Sequence, residues 1–575
     1  MPAKDRFDQA RAAFEEWRKD VSQNFYTGNR VFQNMLRFFM GDDAFAAIQP
    51  QLEAFGSVCA SVIDPAATEN DRIGNHPQLI RWNDLGQRTE EIHFHPSYHV
   101  AGRAAIESGI LALQAQPGHA LQQAALFFLL SHCGEMGHAC PIACTSGLIR
   151  ALQSKGDDPL RRRYLPGLLS SDYDRRLVGA QFITEIQGGS DVGANACMAV
   201  PVDGEPGVWR ISGEKWFCSV ANADLFLVSA RPENAADGTR GLGAFVVPRR
   251  LPDGSLNGFR IRRLKDKFGT RTLATGEIDF EQAIGYQLGA IDEGFKIIIE
   301  MVLNVSRWFN AIGSCGLMQR GYLEARAFAS RRTAFGAPII RYPLVQEALA
   351  EIKASLYAGL ASTLYLSRLI DLMDLQQATD NEKAVHRLLV NINKYSTSVA
   401  ASLALRRAQE ILGGNGAVET FSVIPRLYRD SVVYESWEGS HNVLCLQVLR
   451  DCRKYGFHQA YFETMLQQVN SVSQPELSPY QQSLLQMIRQ AESRFNGLLQ
   501  ASEAEAQLFI RGNIDYLARL FQASALLAFA DWEARQHLRS DTPAVLRFFI
   551  HRFLEPFHLP NQDSDYLALL QLAHG

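Results

Sequence analysis

The sequence predicts a mainly α-helical protein with one central β domain. The order is a helical domain, a small antiparallel β domain, a helical bundle and a C-terminal helical extension. Three observations predict it. Residues 1–174 have few β-branched runs and many Ala, Leu, Gln and Glu. Residues 175–288 break into short β-type runs separated by Gly, Pro, Asn and Asp. Helical texture returns over 289–454, and the final stretch, 455–575, is helical again but has no lysine.

In the first block, "HPSYHVAGRAAIESGILALQAQ" and "ALQQAALFFLLSHCGEM" read as buried or amphipathic helices. The β block holds "LVGAQFI", "GVWRISG", "DLFLVSA", "LGAFVVP", "GFRIRRL" and "ATGEIDF". Regular turn signals between such runs predict a small antiparallel sandwich or barrel. The third block opens with the long helical run "GFKIIIEMVLNVSRWFNAIGSCGLMQRGYLEARAFASRR". In the fourth, "LSPYQQSLLQMIRQ" and "SDTPAVLRFFIHRFLEPF" each begin with a polar cap and a proline suited to a first helical turn. There is no internal repeat and no low-complexity segment.

At 575 residues, 47% of them hydrophobic, the chain can bury a large core in three or four units. A net charge of −4 gives no global basic field for nucleic acid. The nine cysteines do not form a disulfide-like framework, so reduced thiols are expected. The N-terminus is charged and has no apolar signal core, and runs such as "AALFFLL" fall far short of the roughly 20 residues that span a bilayer. A soluble, cytoplasmic protein without membrane insertion is expected.

Function is written first in "GAQFITEIQGGSDVGANA", where an apolar run falls into a Gly-Gly-Ser-Asp turn. It is neither a dinucleotide fingerprint nor a Walker loop: GxGxxG, a following βαβ unit and the Walker lysine are all missing. Its glycines still allow a backbone to approach a flat ligand closely, and Thr184 offers a hydroxyl.

Five motifs in one order resemble the acyl-CoA dehydrogenases. "TEIQGGSDV" is similar to their TE-x-x-x-GSDV, and "ISGEKWFCSVANADLFLVSA" to their I-x-G-x-K-x-[WF]-I-[TS]-N strand pair. "SRRTAFGAPIIRYPLVQ" is similar to R-x-x-F-G-x-x-I…Q, "AQEILGGNGAVE" to Q-x-x-G-G-x-G, and "PRLYRDSVVYESWEGSHNV" to R-D-x-x-x-x-x-Y-E-G-[TS]-x-[QN]. "HFHPSYH", "IQGGSD", "RRLKDKFG" and "WEGSHN" resemble more particularly the subgroup of the bacterial alkylation-response protein AidB. The likeness runs from about residue 70 to 450.

The resemblance implies non-covalent FAD and an acyl-CoA thioester, with α-proton abstraction by a glutamate and β-hydride transfer to flavin N5. The matching carboxylate is Glu438, between Trp437 and Gly439; burial there raises a carboxyl pKa. Glu435 is the rival, and a solvated loop acid is the plain alternative. Thr184, Gly189, Ser190, Phe217 and Ser219 are implied around the flavin ring. Arg332, Phe335, Gln346, Gln409, Gly413 and Gly414 are implied at the pyrophosphate and adenosine, with Arg332 reaching a neighbouring subunit's cofactor. Ser440 and Asn442 are implied beside the cofactor. Ser190, Arg307 and Trp437 are implied on the substrate side, Arg307 near the active-site mouth or in a structural ion pair. A homotetramer, and electron-transferring flavoprotein as acceptor, follow from the same likeness.

One histidine–cysteine group and one histidine group compete for attention. His132, Cys133, His138, Cys140 and Cys144 have no paired metal spacing, and match instead a subgroup E-x-G-x-x-C-P helix through Glu135, Gly137, Cys140 and Pro141. His93, His95 and His99 read as helix-entry packing, so no metal is expected. The rival functions are an acyl-CoA oxidase, a nitroalkane oxidase (whose base is an Asp, against Glu438) and an AidB-like flavin-containing DNA-binding or protective protein. Residues 455–575 carry 8 arginines, 12 acidic residues and a formal charge of −4. That leaves few groups to neutralise phosphates, so weak DNA binding is expected.

Overall fold

A computed structural model describes residues 3–555 and 566–574. The N-terminal helices are α1 (Ala3–Val21), α2 (Arg30–Met40) and α3 (Asp42–Val58), the last running through a π-helical turn (Cys59–Ile63) into α4 (Asp64–Asn70). A hairpin of β1 (Gln78–Trp82) and β2 (Arg88–His93) follows, which the helical texture did not lead one to expect. Then come α5 (Pro96–Glu107), α6 (Ala120–His132), α7 (Met136–Lys155) and α8 (Asp158–Leu168). Their starts are capped by side chains that accept from orphan N–H groups: His95 for α5, Glu135 for α7 and Asp157 for α8. Helix α6 is buried along nearly its whole length, as its unbroken apolar run requires. No helix among the described residues is long and apolar enough to cross a membrane.

The β domain comprises β3 (Gly179–Phe182), β4 (Met198–Pro201), β5 (Val208–Ser219), β6 (Leu225–Pro232), β7 (Gly243–Pro248), β8 (Phe259–Leu264) and β9 (Thr275–Gln287). The pairings β4–β5, β5–β9, β9–β7, β7–β6 and β6–β4 close a ring, so it is a barrel. The expected antiparallel pairing has two exceptions: β3 and β4 both run parallel to β6. They pair successively along one edge of β6, β3 with Leu225–Val228 and β4 with Arg231 and Pro232. The Gly-rich turn is therefore an excursion between two strands that share a seam.

An ion pair fixes the base of that excursion. Lys215 Nζ donates to Glu185 Oε1 at 2.7 Å, with both side chains almost wholly buried. Glu185 also accepts from the backbone N–H groups of Ala196 and Cys197, at the far foot of the turn. Asn195 Nδ2 donates back to Ile183 O at 2.8 Å. Burial alone would raise the Glu185 pKa, but Lys215 and these donors outweigh it and leave it below the usual carboxylate range.

The bundle begins with α9 (Gly294–Ile297), a π-helical turn (Ile298–Leu303) and α10 (Asn304–Arg331). A two-residue hairpin, β10 (Thr333–Ala334) and β11 (Ala337–Pro338), leads to α11 (Pro343–Asp374), α12 (Asp380–Leu412), α13 (Ile424–Ser436) and α14 (His441–Tyr455). Helices α10 and α12 run parallel, because Arg307 bonds Asn391 and a Cβ at Gly321 would meet Leu405. The extension is α15 (His458–Asn470), α16 (Ser478–Gln500), α17 (Glu503–Arg535), α18 (Thr542–Phe553) and α19 (Tyr566–Leu569). The last two residues of the expected helical run there, Pro556 and Phe557, lie outside the described residues. The extension shares one continuous core with the bundle, as in the contact of Phe521 with Tyr365 at 5.4 Å between ring centroids.

Buried charges tie the layers together. Arg429 of α13 pairs with Asp71 at 2.7 Å, and Arg320 of α10 with Asp64 at 2.9 Å. The unexpected hairpin docks on β8: Arg88 donates to Phe259 O, and Ile261 N–H donates to the buried Glu90. Breaking a buried pair leaves an uncompensated charge and costs about 3–5 kcal/mol. Lys215→Met should therefore lower unfolding free energy by about that much at neutral pH. Glu185 has a depressed pKa, so the loss should shrink as pH falls through its folded-state pKa; denaturant titrations at several pH values measure both.

Candidate active site

Helix α13 ends at Ser436, and the chain passes through Trp437, Glu438, Gly439 and Ser440 before α14 begins. Glu438 has φ +61° and Gly439 φ +106°, the left-handed region that costs a non-glycine residue roughly 1–2 kcal/mol. Two buried cations hold the loop there. Arg307 Nε donates to Glu438 O at 2.9 Å, while its Nη1 donates to Asn391 at 2.8 Å and to Asn304 and Gln447 at 3.3 Å. Lys394 Nζ donates to Glu435 O and Gly439 O, both at 3.0 Å. Neither cation forms an ion pair among the described residues. Burial pushes Arg307 down to about 10 and Lys394 down to about 7, against the pull of Glu438.

The Glu438 carboxyl sits between the bundle and the barrel. Gln181 of β3 donates from Nε2 to Glu438 Oε1 at 3.0 Å and to Ser306 Oγ at 3.1 Å. Oε2 is shielded from solvent and has no hydrogen-bond partner. The residue keeps some exposure as a whole, but this oxygen does not. Burial raises its pKa to about 7, partly opposed by Arg307, Lys394 and the Gln181 bond. Glu435 is engaged elsewhere. His441 Nε2 lies 2.9 Å from its Oε2, and despite burial this contact helps hold it below its ordinary value.

Beyond Gln181 the chain enters the Gly-rich turn. Trp216 N–H donates to Thr184 O at 2.9 Å, tying the turn to the strand that carries Phe217 and Ser219. A Cβ at Gly189 would lie 2.7 Å from Thr184 Oγ1, so glycine is required for this close approach. Ser190 is exposed, and Phe217 is 55% exposed, with Lys265 Nζ 4.9 Å from its ring centroid. Ser219 Oγ contacts Thr275 Oγ1 at 3.2 Å, and Lys267 Nζ reaches the same threonine at 2.9 Å. An exposed aromatic face, several hydroxyls, a close-approach glycine and the orphan Glu438 oxygen fit a flat hydrogen-bonding group such as a flavin. Ser440 and the exposed Asn442 start the helix that follows Glu438.

The other candidate residues lie elsewhere. Arg332 ends α10, about 38 Å from Arg307 at ~1.5 Å per residue, and Gly413 ends the parallel α12, about 28 Å from Lys394 by the same rise. These two ends coincide, and the start of α11 joins them: the Tyr342 hydroxyl donates to Ala334 O at 2.7 Å, and Gln346 N–H donates to the Tyr342 carbonyl at 3.0 Å. Here Phe335 is 98% exposed, Gln409 is half-buried, and no atom lies within 4 Å of the Cβ positions of Gly413 or Gly414. Arg331 is spent on Asp20 at 2.7 Å, whereas Arg332 stays exposed near the Phe14 ring. One chain thus carries two groups at opposite ends of the bundle.

Some expectations change. Arg307 does not face an open mouth and, among the described residues, makes no ion pair: it is 2% exposed and spends its donors on Glu438 O and three side-chain amides. Trp437 packs against both the bundle and barrel cores and lies 5.1 Å from the Tyr434 ring. The histidines and cysteines have local uses. His95 caps α5, His99 contacts Tyr173, His138 pairs with Glu135, and His132 bonds Phe128 O. His93 is exposed at the end of β2; Cys133 reaches Cys59 O, and Cys140 and Cys144 lie 3.9 Å apart. Gln181 and Lys394 were missed. Lys394 had a signal: Val390, Asn391, Thr397, Ser398 and Ala401 put it amid a stripe of apolar, small and uncharged residues, all buried.

Comparison with known proteins agrees with this architecture. The AidB N-terminal domain family model matches residues 18–175, the acyl-CoA dehydrogenase middle domain 180–283, and the acyl-CoA dehydrogenase C-terminal domain 292–452. AidB of Escherichia coli (strain K12) is 36% identical over 392 residues, 66% of this chain and 70% of that protein. The crystal structure of Caenorhabditis elegans ACDH-11 in complex with C11-CoA superposes with a TM-score of 0.87 at 25% identity, covering 93% of this chain and 92% of that one. An acyl-CoA dehydrogenase complexed with FAD from Bacillus anthracis shares the fold at a TM-score of 0.70 and 18% identity, covering 92% and 87%. With three domain models matched in succession and a relative matched over more than two thirds of its length, the protein belongs to the acyl-CoA dehydrogenase family of FAD-dependent enzymes.

Proposed function

We propose that this protein desaturates an acyl-CoA thioester, with Glu438 as the base that removes the α proton. One observation carries the reading: a glutamate buried between barrel and bundle, raised to about 7, with one oxygen fixed by Gln181 and the other shielded and unpartnered. A base works best when its pKa lies near the working pH. The unpartnered Oε2 would take the proton. The Glu438 N–H, on the left-handed loop, would donate to the thioester oxygen as negative charge develops there. Trp437 would keep water from the carboxyl. Bound FAD would supply the acceptor for the β hydride.

Thr184, Gly189, Ser190, Phe217 and Ser219 would hold the flavin ring, Ser190 also meeting the substrate arm, with Ser440 and Asn442 beside them. Arg332, Phe335, Gln346, Gln409, Gly413 and Gly414 would serve the pyrophosphate and adenosine of a neighbouring copy. A guanidinium pairs well with phosphate oxygens, and the span along α10 favours this sharing. The functional unit would be a dimer or tetramer, with an electron-transferring flavoprotein as the acceptor. The C11-CoA bound by the worm relative makes an acyl chain of that length the first substrate to try.

Glu438→Gln should keep FAD and fold, because the amide is nearly isosteric. Its rate of anaerobic flavin bleaching by acyl-CoA should fall by about 10²–10⁴-fold, whereas Glu435→Gln should cost far less. Equal rates for wild type and Glu438→Gln would refute the assignment. The base must be ionised to act, so kcat/KM should fall as pH drops through about 7, the raised value of Glu438. Sedimentation of the flavin-saturated protein should give a dimer or larger, and Arg332→Ala should weaken FAD retention; a flavin-saturated monomer would contradict the shared site.

A further inference from the structure

Three carbonyls of the base loop turn inward onto cations: Glu435 and Gly439 onto Lys394, and Glu438 onto Arg307. Arg307 has amide partners to share its charge. Among the described residues Lys394 bonds the two loop carbonyls alone, and these lie on either side of Glu438 in sequence. A lysine ammonium has three donors and no acceptor, and its desolvation is costly. Such a group is out of place in a helix that needs only packing. Its position under the reacting carboxylate gives it two effects. It fixes the path of the chain into and out of Glu438, and it adds positive charge beneath a carboxyl that burial makes reluctant to ionise.

We propose that Lys394 is a positioning residue for the base: its ammonium clamps the loop on both sides of Glu438, and its charge favours the ionised Glu438 carboxylate. The inference rests on Glu438 being the base. The groups facing that carboxyl from each packed element are Lys394 of α12, Arg307 of α10, Gln181 of β3 and the Cys144 thiol of α7. Lys394 itself faces Glu438, Arg307 and Glu435. Arg307 is coupled in turn to Arg387 and Asp451. Burial lowers Lys394 to about 7 and raises Glu438 to about 7, so the two groups titrate in one range and each stabilises the other's charge.

The test uses the FAD-loaded, full-length protein. The Glu438 titration is read from the carbonyl stretch of the protonated carboxyl by infrared difference spectroscopy, with Glu438→Gln as the baseline. Lys394→Gln keeps a donor but removes the charge. It should move the Glu438 midpoint and the acid limb of kcat/KM to higher pH, and lower kcat by about 10²-fold, the scale of a small misplacement of reacting groups, with KM changed little. Lys394→Arg keeps the charge and should leave the midpoint in place. Coupling is reciprocal, so Glu438→Gln should lower the Lys394 midpoint, followed by NMR of the labelled lysine side chain. That arm stands even where Lys394→Gln does not fold. An unmoved Glu438 midpoint in Lys394→Gln, or an unmoved Lys394 midpoint in Glu438→Gln, would overturn the proposal. Bleaching at the wild-type rate by Glu438→Gln would instead overturn the base assignment and leave the coupling measurement standing.

Discussion

The site depends on two positive charges held away from water without, among the described residues, a carboxylate partner of their own. Arg307 and Lys394 are satisfied by carbonyl and amide oxygens, and the loop that supplies the carbonyls carries Glu438. Main-chain dipoles cannot repay the whole desolvation cost of two cations. A nearby anion can repay the rest, so the loop settles where the Glu438 carboxyl shares the field of both. The left-handed φ of Glu438 and of Gly439 follows from turning three carbonyls inward within five residues. Strain at Glu438 is thus the geometric counterpart of the buried charges that hold its loop.

The same economy holds at the barrel. The Gly-rich turn is exposed and has little packing of its own, yet its two feet are fixed by one buried ion pair and one asparagine. Thr184 is placed by a backbone bond from the strand that carries Phe217 and Ser219, so the turn and the neighbouring strand form one unit. Gln181 then joins that unit to the Glu438 carboxyl. A single strand end thereby sets the register between the Gly-rich turn and the Glu438 carboxyl, from barrel to bundle.

Much of this was legible in the sequence. Six barrel strands showed as short apolar runs between turn residues, and the WEG motif singled out Glu438. What was missed has physical reasons. Strand β4, "MAVP", ends in a proline and buries only Ala199, and β2, "RTEEIH", is too charged to read as a strand; its Glu90 is buried where Arg88 and Ile261 N–H meet it. The parallel pairing of β3 and β4 to β6 depends on strand order, which composition does not carry. Lys394 lies mid-helix, where lysine is ordinarily a solvent residue. Only the small and uncharged residues around it mark a face where helices pack closely. Arg307 was expected near a mouth and is instead deeply buried, because a sequence gives no depth.

The succession of β3 and β4 along one edge of β6 separates the length of the turn from the integrity of the barrel. In an ordinary hairpin, adding a residue to the connection shifts the register and turns every side chain over. Here both strands are registered independently against a third, so residues can be inserted or lost between Glu185 and Asn195 while the seam stays aligned. The barrel therefore works as a socket with an interchangeable rim. A lineage can reshape what the rim grips through changes in loop length, without renegotiating the fold beneath it.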